Sequence, residues 1–533
     1  MIRKYIHLLQ DKADEQSGFI LPSIISFVVA ALILTSALMV LINTNISVVS
    51  NNIQSQQAFN IAEAGINYYL WHLSHNPSDY KDGQNTPVTA DPTLGWGPYV
   101  HNYVDDNGVT QGTYTLWIKP QGVGSTIVNV RSIGKSNAGG AIRTVQAQVG
   151  AASFASYGVV SDTALWFGNT ESATGPVHSN QGVRMDGASS ADVTSANSSY
   201  IPSNQLGGDG SSHPGVWCNT SVTSPVNCNT RSKVDWHYPV PLVDFNQVSG
   251  SLCTMKKTAF SSDASTASLA TQSNACSQTP TTLTAAYLPQ RATNGSYNQS
   301  RGYLIQLDTN GKYDLYQVNG ETDTSTPYTS ALTLQLVATG ITIPSSGVIF
   351  AEDNVWVRTN PTFHGRVTIA AGRLATASNA NIVVADDVLY SAKDGSDAIG
   401  LVAEGDILIA PYAPPASGAF NFEVDAAMLA ETGNVEYPLD YRSNTTRCTR
   451  GWVNSNQTLT VYGSVATRQT WTWTWLLGGA CGDGAHDPTN GWISGIEHND
   501  TQFDNNLQYT PPPSYPVTGS YNILSWREVL TTP

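Results

Sequence analysis

Val348-Ile349-Phe350-Ala351-Glu352-Asp353-Asn354-Val355-Trp356-Val357 sets two short apolar strands about an acidic bend, and the chain then repeats the device. Ile382-Val383-Val384-Ala385-Asp386-Asp387-Val388-Leu389-Tyr390 and Leu401-Val402-Ala403-Glu404-Gly405-Asp406-Ile407-Leu408-Ile409 are further copies, and Met428 to Tyr437 is a looser one. Gly365–Ala370 and Leu459–Val465 add strands of the same kind. The spacing is irregular, as in stacked rungs of roughly 15–20 residues carrying insertions. One such unit cannot bury its apolar face alone, whereas stacked units share a continuous core. Hairpin meanders would show longer strands joined by two-residue turns. The pattern predicts a mainly β protein with a right-handed parallel β-helix over 346–533, closed by a C-terminal cap. A β-sandwich is the alternative.

Upstream, Gly302–Leu307 and Tyr313–Val318 flank Asn310-Gly311, a strong hairpin signal. Residues 186 to about 300 are rich in Ser, Thr and Asn and hold four of the six cysteines. They read as a loop-rich insertion within a strand-bearing segment 151–345. Between residues 74 and 150, Tyr114–Ile118, Thr126–Val130 and Ala141–Ala147 are short β-branched runs punctuated by turn residues. They predict a small antiparallel sheet.

The N-terminal part has a different grammar. Gly18-Phe19-Ile20-Leu21-Pro22 opens a charge-free apolar run to Ile42, roughly 24 residues and long enough to cross a bilayer as a helix. Phe59, Ala62, Ile66, Tyr69, Leu70 and Leu73 recur at three- and four-residue steps, extending the helix over 19–73 with one apolar face. Arg3, Lys4 and Lys12 precede the span and the next basic residue is Lys81, so the leader is expected in the cytoplasm and the bulk outside. A secretory signal puts its apolar core before the cut. Here the plausible cut lies before the run, and the helix would stay on the mature protein. An ordinary signal anchor is the alternative.

Gly18-Phe19 before the span, with Gln57-Ala58-Phe59-Asn60-Ile61-Ala62-Glu63-Ala64-Gly65 near the helix end, resembles type IV prepilins and in particular PilX-type minor pilins. The resemblance covers about the first 75 residues. It implies removal of leader 1–18 by prepilin peptidase, methylation of Phe19, and assembly with other pilins through the helix. It implies a cytoplasmic-membrane protein before assembly and a cell-surface one after. It also implies Glu at the fifth mature position, where this chain has Ser23. Ser23 marks either a tip or initiating subunit, which has no neighbour's amine above it to pair, or drift in a divergent family. Some large PilX-like proteins carry comparable β-rich C-terminal regions.

A formal charge of −15 and the absence of any basic run beyond the leader argue against a nucleic-acid partner. Cys218, Cys228, Cys253, Cys276, Cys448 and Cys481 are even in number and lie on the exported side, which favours disulfides. Proximity suggests 218–228, 253–276 and 448–481. No CxxC or paired Cys/His set is present, so no metal site and no cofactor is expected. Asp386-Asp387 invites comparison with polygalacturonases, but the acids sit at the bend of the repeat, and a non-catalytic role is the expectation. Trp471, Trp473 and Trp475 alternate along a strand, so their indoles offer a ladder for a surface glycan or packing for the end of the stack. Cys481–Asp487 is oxygen-rich but lacks the spacing of a calcium loop. The expected function is a non-enzymatic pilus subunit presenting its head for adhesion or assembly. A pilus-borne carbohydrate-binding or carbohydrate-active protein is the alternative.

Overall fold

The structure is a computed structural model that describes residues 20–75, 79–84, 90–120, 127–138, 140–291, 301–321, 332–410, 421–438, 458–476, 486–487, 491–496, 498–508, 510–519 and 521–530. It is mainly β, with one long N-terminal helix and several sheets, both antiparallel and parallel.

The helix runs Ile20–His75. Its last third lies on an antiparallel sheet of β1 (Trp96–Val104), β2 (Thr110–Pro120), β3 (Ile127–Ser136) and β4 (Ile142–Gly150). The strands alternate buried and half-exposed side chains, as a sheet covered on one face must. Ala58, Ile61, Ala62, Ile66, Tyr69 and Leu73 are buried against that face. The approach is close at Gly134, where a Cβ would overlap the Ala58 carbonyl oxygen.

A fifth strand, Asn522–Val529, pairs antiparallel with β4, from Asn522 opposite Gly150 to Val529 opposite Thr144. The sequence predicts that the C-terminal segment caps the repeat region. It instead completes the small sheet, because β4 would otherwise present an unpaired row of N–H and C=O groups. Everything between Gly150 and Asn522 is therefore inserted between two neighbouring strands. The two connections run side by side: the Phe154 N–H donates to the Pro516 carbonyl at 3.1 Å, and the Thr518 N–H to the Ala152 carbonyl at 2.8 Å.

The inserted head is built on parallel pairings. One sheet stacks, in spatial order, Trp236–His237, Val193–Ser195, Val177–Ser179, Val159–Ser161, Thr458–Thr467, Asn421–Ala430, Ala398–Ala403, Arg366–Ala371, Val348–Ala351 and Tyr287–Leu288, every neighbour parallel. A second sheet stacks Gly302–Asp308, Asn354–Asn360, Ile382–Val384, Ile407–Ile409, Val435–Glu436 and Trp471–Thr472, again in parallel. The copies of the repeat are thus neighbours, strand on strand. Their inward side chains, among them Ile349, Trp356, Ile369, Ile382, Leu401, Ile407 and Met428, form one apolar core. The predicted hairpin about Asn310-Gly311 is present, with Leu307 opposite Tyr313, and a further antiparallel strand, Leu332–Thr342, follows it at the sheet's edge.

The order of strands in the first sheet has a topological consequence. The chain enters at Val159–Ser161, in the middle of the stack, and runs to one end at Trp236–His237. It crosses to the other end, begins again at Tyr287–Leu288, and winds back until Val465 meets Val159. Residues 186–300 are accordingly not a single insertion. Up to His237 they supply strands of the stack. The crossing segment then forms a strap with a helix, Gln247–Ser261. Val248, Leu252, Met255, Ala259 and Phe260 pack it on the outer face of the first sheet, where Ala370, Ala398, Ala427 and Ala466 leave room for a second layer.

The bends carry a ladder of side-chain to backbone hydrogen bonds. Asn354 Oδ1 accepts from the Asn381 N–H (3.0 Å), Asn381 Oδ1 from the Asp406 N–H (2.9 Å), Asp406 Oδ1 from the Asn434 N–H (2.8 Å), and Asn434 Oδ1 from the Thr470 N–H (2.9 Å). Each rung's bend amide, which no strand can satisfy, is met by the rung before it.

Candidate functional site

The helix divides into two chemically distinct parts. From Leu21 to Ile53 its large apolar side chains face outward, with Phe27 76% and Met39 70% exposed. Among the described residues it is one helix long and apolar enough to cross a membrane. A charge-free run of 24 residues rises about 36 Å against a hydrocarbon core of about 30 Å. The few hydroxyls in it donate to their own helix: Ser26 to the Pro22 carbonyl (2.7 Å) and Thr35 to that of Ala31 (2.9 Å). No polar hydrogen of these groups then needs water. Ser23 lies exposed in the first described turn. Gly18 and Phe19 lie outside the described residues.

The end of the helix is fixed by polar contacts to the turn that follows. Tyr68 Oη donates to Asp82 Oδ1 at 3.0 Å, and Tyr69 Oη to the Asp79 carbonyl at 2.8 Å. His72 Nε2 lies 3.1 Å from Asp79 Oδ2, and His101 Nε2 lies 2.6 Å from Asp82 Oδ2. Burial and the Asp82 carboxylate push the Tyr68 phenol above its ordinary range. Below the helix, Arg143 pairs with Glu528 of the last strand, and Trp526 of that strand meets the Phe59 ring edge-on at 5.7 Å. The helix is thus anchored to both chain ends of the sheet, while its first two-thirds project apolar side chains with no partner from this chain among the described residues.

On the head, the candidate residues fall in different places. Trp471 and Trp473 are 8% and 2% exposed, pack edge-to-face at 6.2 Å, and belong to the apolar core, with Phe167 5.0 Å from Trp471. Neither offers a ring face to solvent. The Trp475 side chain lies outside the described residues. Asp387 Oδ1 accepts the Glu423 N–H at 2.9 Å, its carbonyl accepts the Thr359 N–H at 2.9 Å, and Asp386 Oδ1 accepts the Asp387 N–H. The first two are contacts between neighbouring strand segments and the third is local to the bend, and burial pushes the Asp387 carboxyl up to about 6. Nearby, Lys393 pairs with Glu423 and with Asp425, the latter at 2.9 Å.

Cys218 is bonded to Cys228 and Cys253 to Cys276. Cys448 and Cys481 lie outside the described residues, as does most of the oxygen-rich loop 481–487. Among the described residues no cluster of three or more His, Cys, Asp or Glu is arranged to hold a metal ion. Lys256 is not among the residues that the sequence singles out, and its side chain is wholly buried beneath the strap. The signal was present: Val248, Leu252, Met255 and Ala259 mark an apolar stripe, and Lys256 falls within it.

No protein-family model matches this chain, and no curated protein matches it. Among solved structures, the competence-associated pilin ComZ from Thermus thermophilus is similar over 89% of this chain and 98% of its own, at 14% sequence identity and a TM-score of 0.26.

Proposed function

We propose that this chain is a non-enzymatic, PilX-like minor pilin that inserts its N-terminal helix into a type IV pilus-like fibre and presents a large head at or near the tip for adhesion or assembly. The observation that carries this reading is the two-part helix. Its first part exposes a charge-free apolar surface that only lipid or other apolar helices can cover. Its last part is built into a small antiparallel sheet. The helix would rest in the cytoplasmic membrane with the head outside, and then exchange lipid for neighbouring pilin helices in the fibre. Prepilin peptidase would cut after Gly18, and the new Phe19 amine would be methylated. Ser23 in place of the family's Glu suits a subunit with no neighbour above it.

The head reads as a right-handed parallel β-helix, supported by its parallel pairings between repeat copies and its ladder of bend amides. A surface glycan is the partner class the adhesive role calls for. The test is mass spectrometry of the mature N-terminus combined with immuno-electron microscopy of purified fibres. The expected results are an N-methylated Phe19 and label confined to fibre ends. An intact leader on the fibre-associated protein would overturn the assignment.

A further inference from the structure

Lys256, on the strap helix, is the one fully buried lysine among the described residues. Its Nζ contacts Oε1 of Glu352, which is 2% exposed and sits at the first bend of the repeat. The two residues are separated by 96 positions and bring together the strap and the end of the stack. On the other side of the carboxyl, Tyr287 Oη donates to Glu352 Oε2 at 2.8 Å. Lys256 Nζ also donates to the Cys276 carbonyl at 2.9 Å. The rings of Phe260 and Phe350 close the pocket around the ammonium group, 5.8 and 5.9 Å from Nζ. Next along the chain from Glu352, Asp353 pairs with Arg373 at 3.3 Å and accepts the Arg291 N–H at 3.1 Å.

We propose that Lys256 and Glu352 condense into an intramolecular amide that covalently staples the strap to the stack. A buried amine and a buried carboxyl are each driven toward the neutral form by loss of hydration. Both directions are present here. Burial lowers the Lys256 ammonium below its ordinary value, against the pull of Glu352, and raises the Glu352 carboxyl, against the pull of Lys256. Proton transfer within the pair yields the two neutral partners, an amine nucleophile and a carboxylic acid, and a desolvated lysine is the form that acts as a nucleophile.

The geometry assigns the rest of the step. Nζ attacks Cδ of Glu352 and forms the C–N bond. Negative charge develops on Oε2, where the Tyr287 hydroxyl already donates a hydrogen bond. Nζ passes a proton to Oε1, which it touches, and the C–Oε1 bond breaks with its electron pair on oxygen. Oε1 leaves as one water molecule. Nothing is oxidised or reduced, and no co-reactant is needed. Holding both partners in contact supplies an effective concentration of about 10⁵–10⁸ M for a well-oriented intramolecular reaction. Expulsion of the water from an apolar site opposes the reverse reaction.

The bond would close a large loop spanning residues 256 to 352 and fix the strap against the end rungs it covers. It adds to Cys253–Cys276, which staples the same helix to the segment behind it.

The experiment uses the full chain, purified folded in detergent. After reduction of disulfides, its intact mass is expected to be one water below the sequence mass of the processed or unprocessed form. Proteolysis is expected to release a branched peptide joining the Lys256 and Glu352 segments. Lys256→Arg and Tyr287→Phe are the companion variants. The first is expected at full mass. The second, which keeps the ring, is expected to form the bond at least tenfold more slowly after refolding. Wild-type protein at full mass after prolonged incubation in the folded state would overturn the proposal, as would a water loss mapped to other residues. An unchanged rate in Tyr287→Phe would overturn the role given to that hydroxyl.

Discussion

The ladder of bend amides makes a sharp prediction at Asn381 and Gly405. Asn381 Oδ1 accepts the Asp406 N–H at 2.9 Å, and a Cβ placed on Gly405 would overlap that same oxygen. Gly433 stands in the same relation to Asp406 Oδ1 one rung on. The glycines are there to make space for the ladder. Asn381→Ala leaves the Asp406 amide without its acceptor in a half-buried bend, at a cost of about 1–3 kcal/mol. Gly405→Ala should reach a similar figure by a different route, because the new methyl displaces the Asn381 carbonyl and breaks the same bond. The two costs are therefore not additive. In the Asn381→Ala background the severe overlap is gone, the Ala380 carbonyl at 3.1 Å and Asn379 Cβ at 3.3 Å are the next neighbours, and most of the penalty should vanish. Urea unfolding of the four proteins in the cycle, followed by circular dichroism, measures this. A coupling below about 0.5 kcal/mol, the scatter of independent sites, would refute the ladder as a source of stability.

Three further outcomes follow from particular contacts. Burial and the nearby Asp406 charge push the Glu436 carboxyl up to about 8, so between the ordinary value of 4.5 and about 8 the folded state binds more protons than the unfolded one, and stability should fall as pH rises through that window; pH-dependent unfolding checks this, and Glu436→Gln should flatten the slope. Trp473→Ala removes a buried indole from the core and should cost about 3–5 kcal/mol, read as a shift in the unfolding midpoint of the head. Gly134→Val drives a side chain into the Ala58 carbonyl and should detach the helix from its sheet, exposing amides of residues 58–66 to hydrogen exchange while leaving the head's exchange unchanged.

How far the sequence reveals this structure depends on how local each element is. The Asn310-Gly311 hairpin is legible because two strand-forming runs flank a turn whose residues specify the register. The repeat copies are legible because a rung must bury its apolar face on another rung. The last strand is not legible as a partner of β4, since Asn522–Val529 has no buried face to mark its place and the whole head separates it from that sheet. Segments such as Val193–Ser195 and Trp236–His237 are too short for any periodicity, and only stacking reveals them as strands. Trp471, Trp473 and Trp475 alternate as an exposed ladder would, but the strand breaks at Trp473 between Trp471–Thr472 and Thr474–Leu476, and the first two indoles turn into the core. The cysteine pairs 218–228 and 253–276 are the ones sequence proximity suggests, because each closes within one loop or helix-turn segment.

The insertion of the head between adjacent strands leads to a last prediction. The core of the small module is made by Ile61, Ala62, Ile66, Tyr69 and Leu73 of the helix, by β1–β4, and by Ala151 and Tyr521. Among the described residues it takes no fully buried side chain from the head, and only the partly buried Val517 packs on it from that side. Gly150 and Asn522 are already opposite one another in the sheet, and the Thr518 amide already reaches the Ala152 carbonyl. Replacing 152–518 by Asn-Gly leaves six residues between Gly150 and Asn522, a loop short enough to join neighbouring antiparallel strands. The product should be a folded miniature in which β4 and the last strand form a hairpin. Its amides in β3 and β4 should be as protected from exchange as in the full chain, and Arg143 should still pair with Glu528. The ordering cost of the long connection is removed, so the miniature should be no less stable than the module it came from. If β4 exchanges freely in the miniature, the head is a structural part of the small sheet, and the module cannot serve as an independent carrier. If protection is retained, the stack is cargo gripped at its waist, since the chain enters at the fourth strand from one end and leaves beside the same point. Both ends of the stack are then several strands removed from the point at which the module grips it.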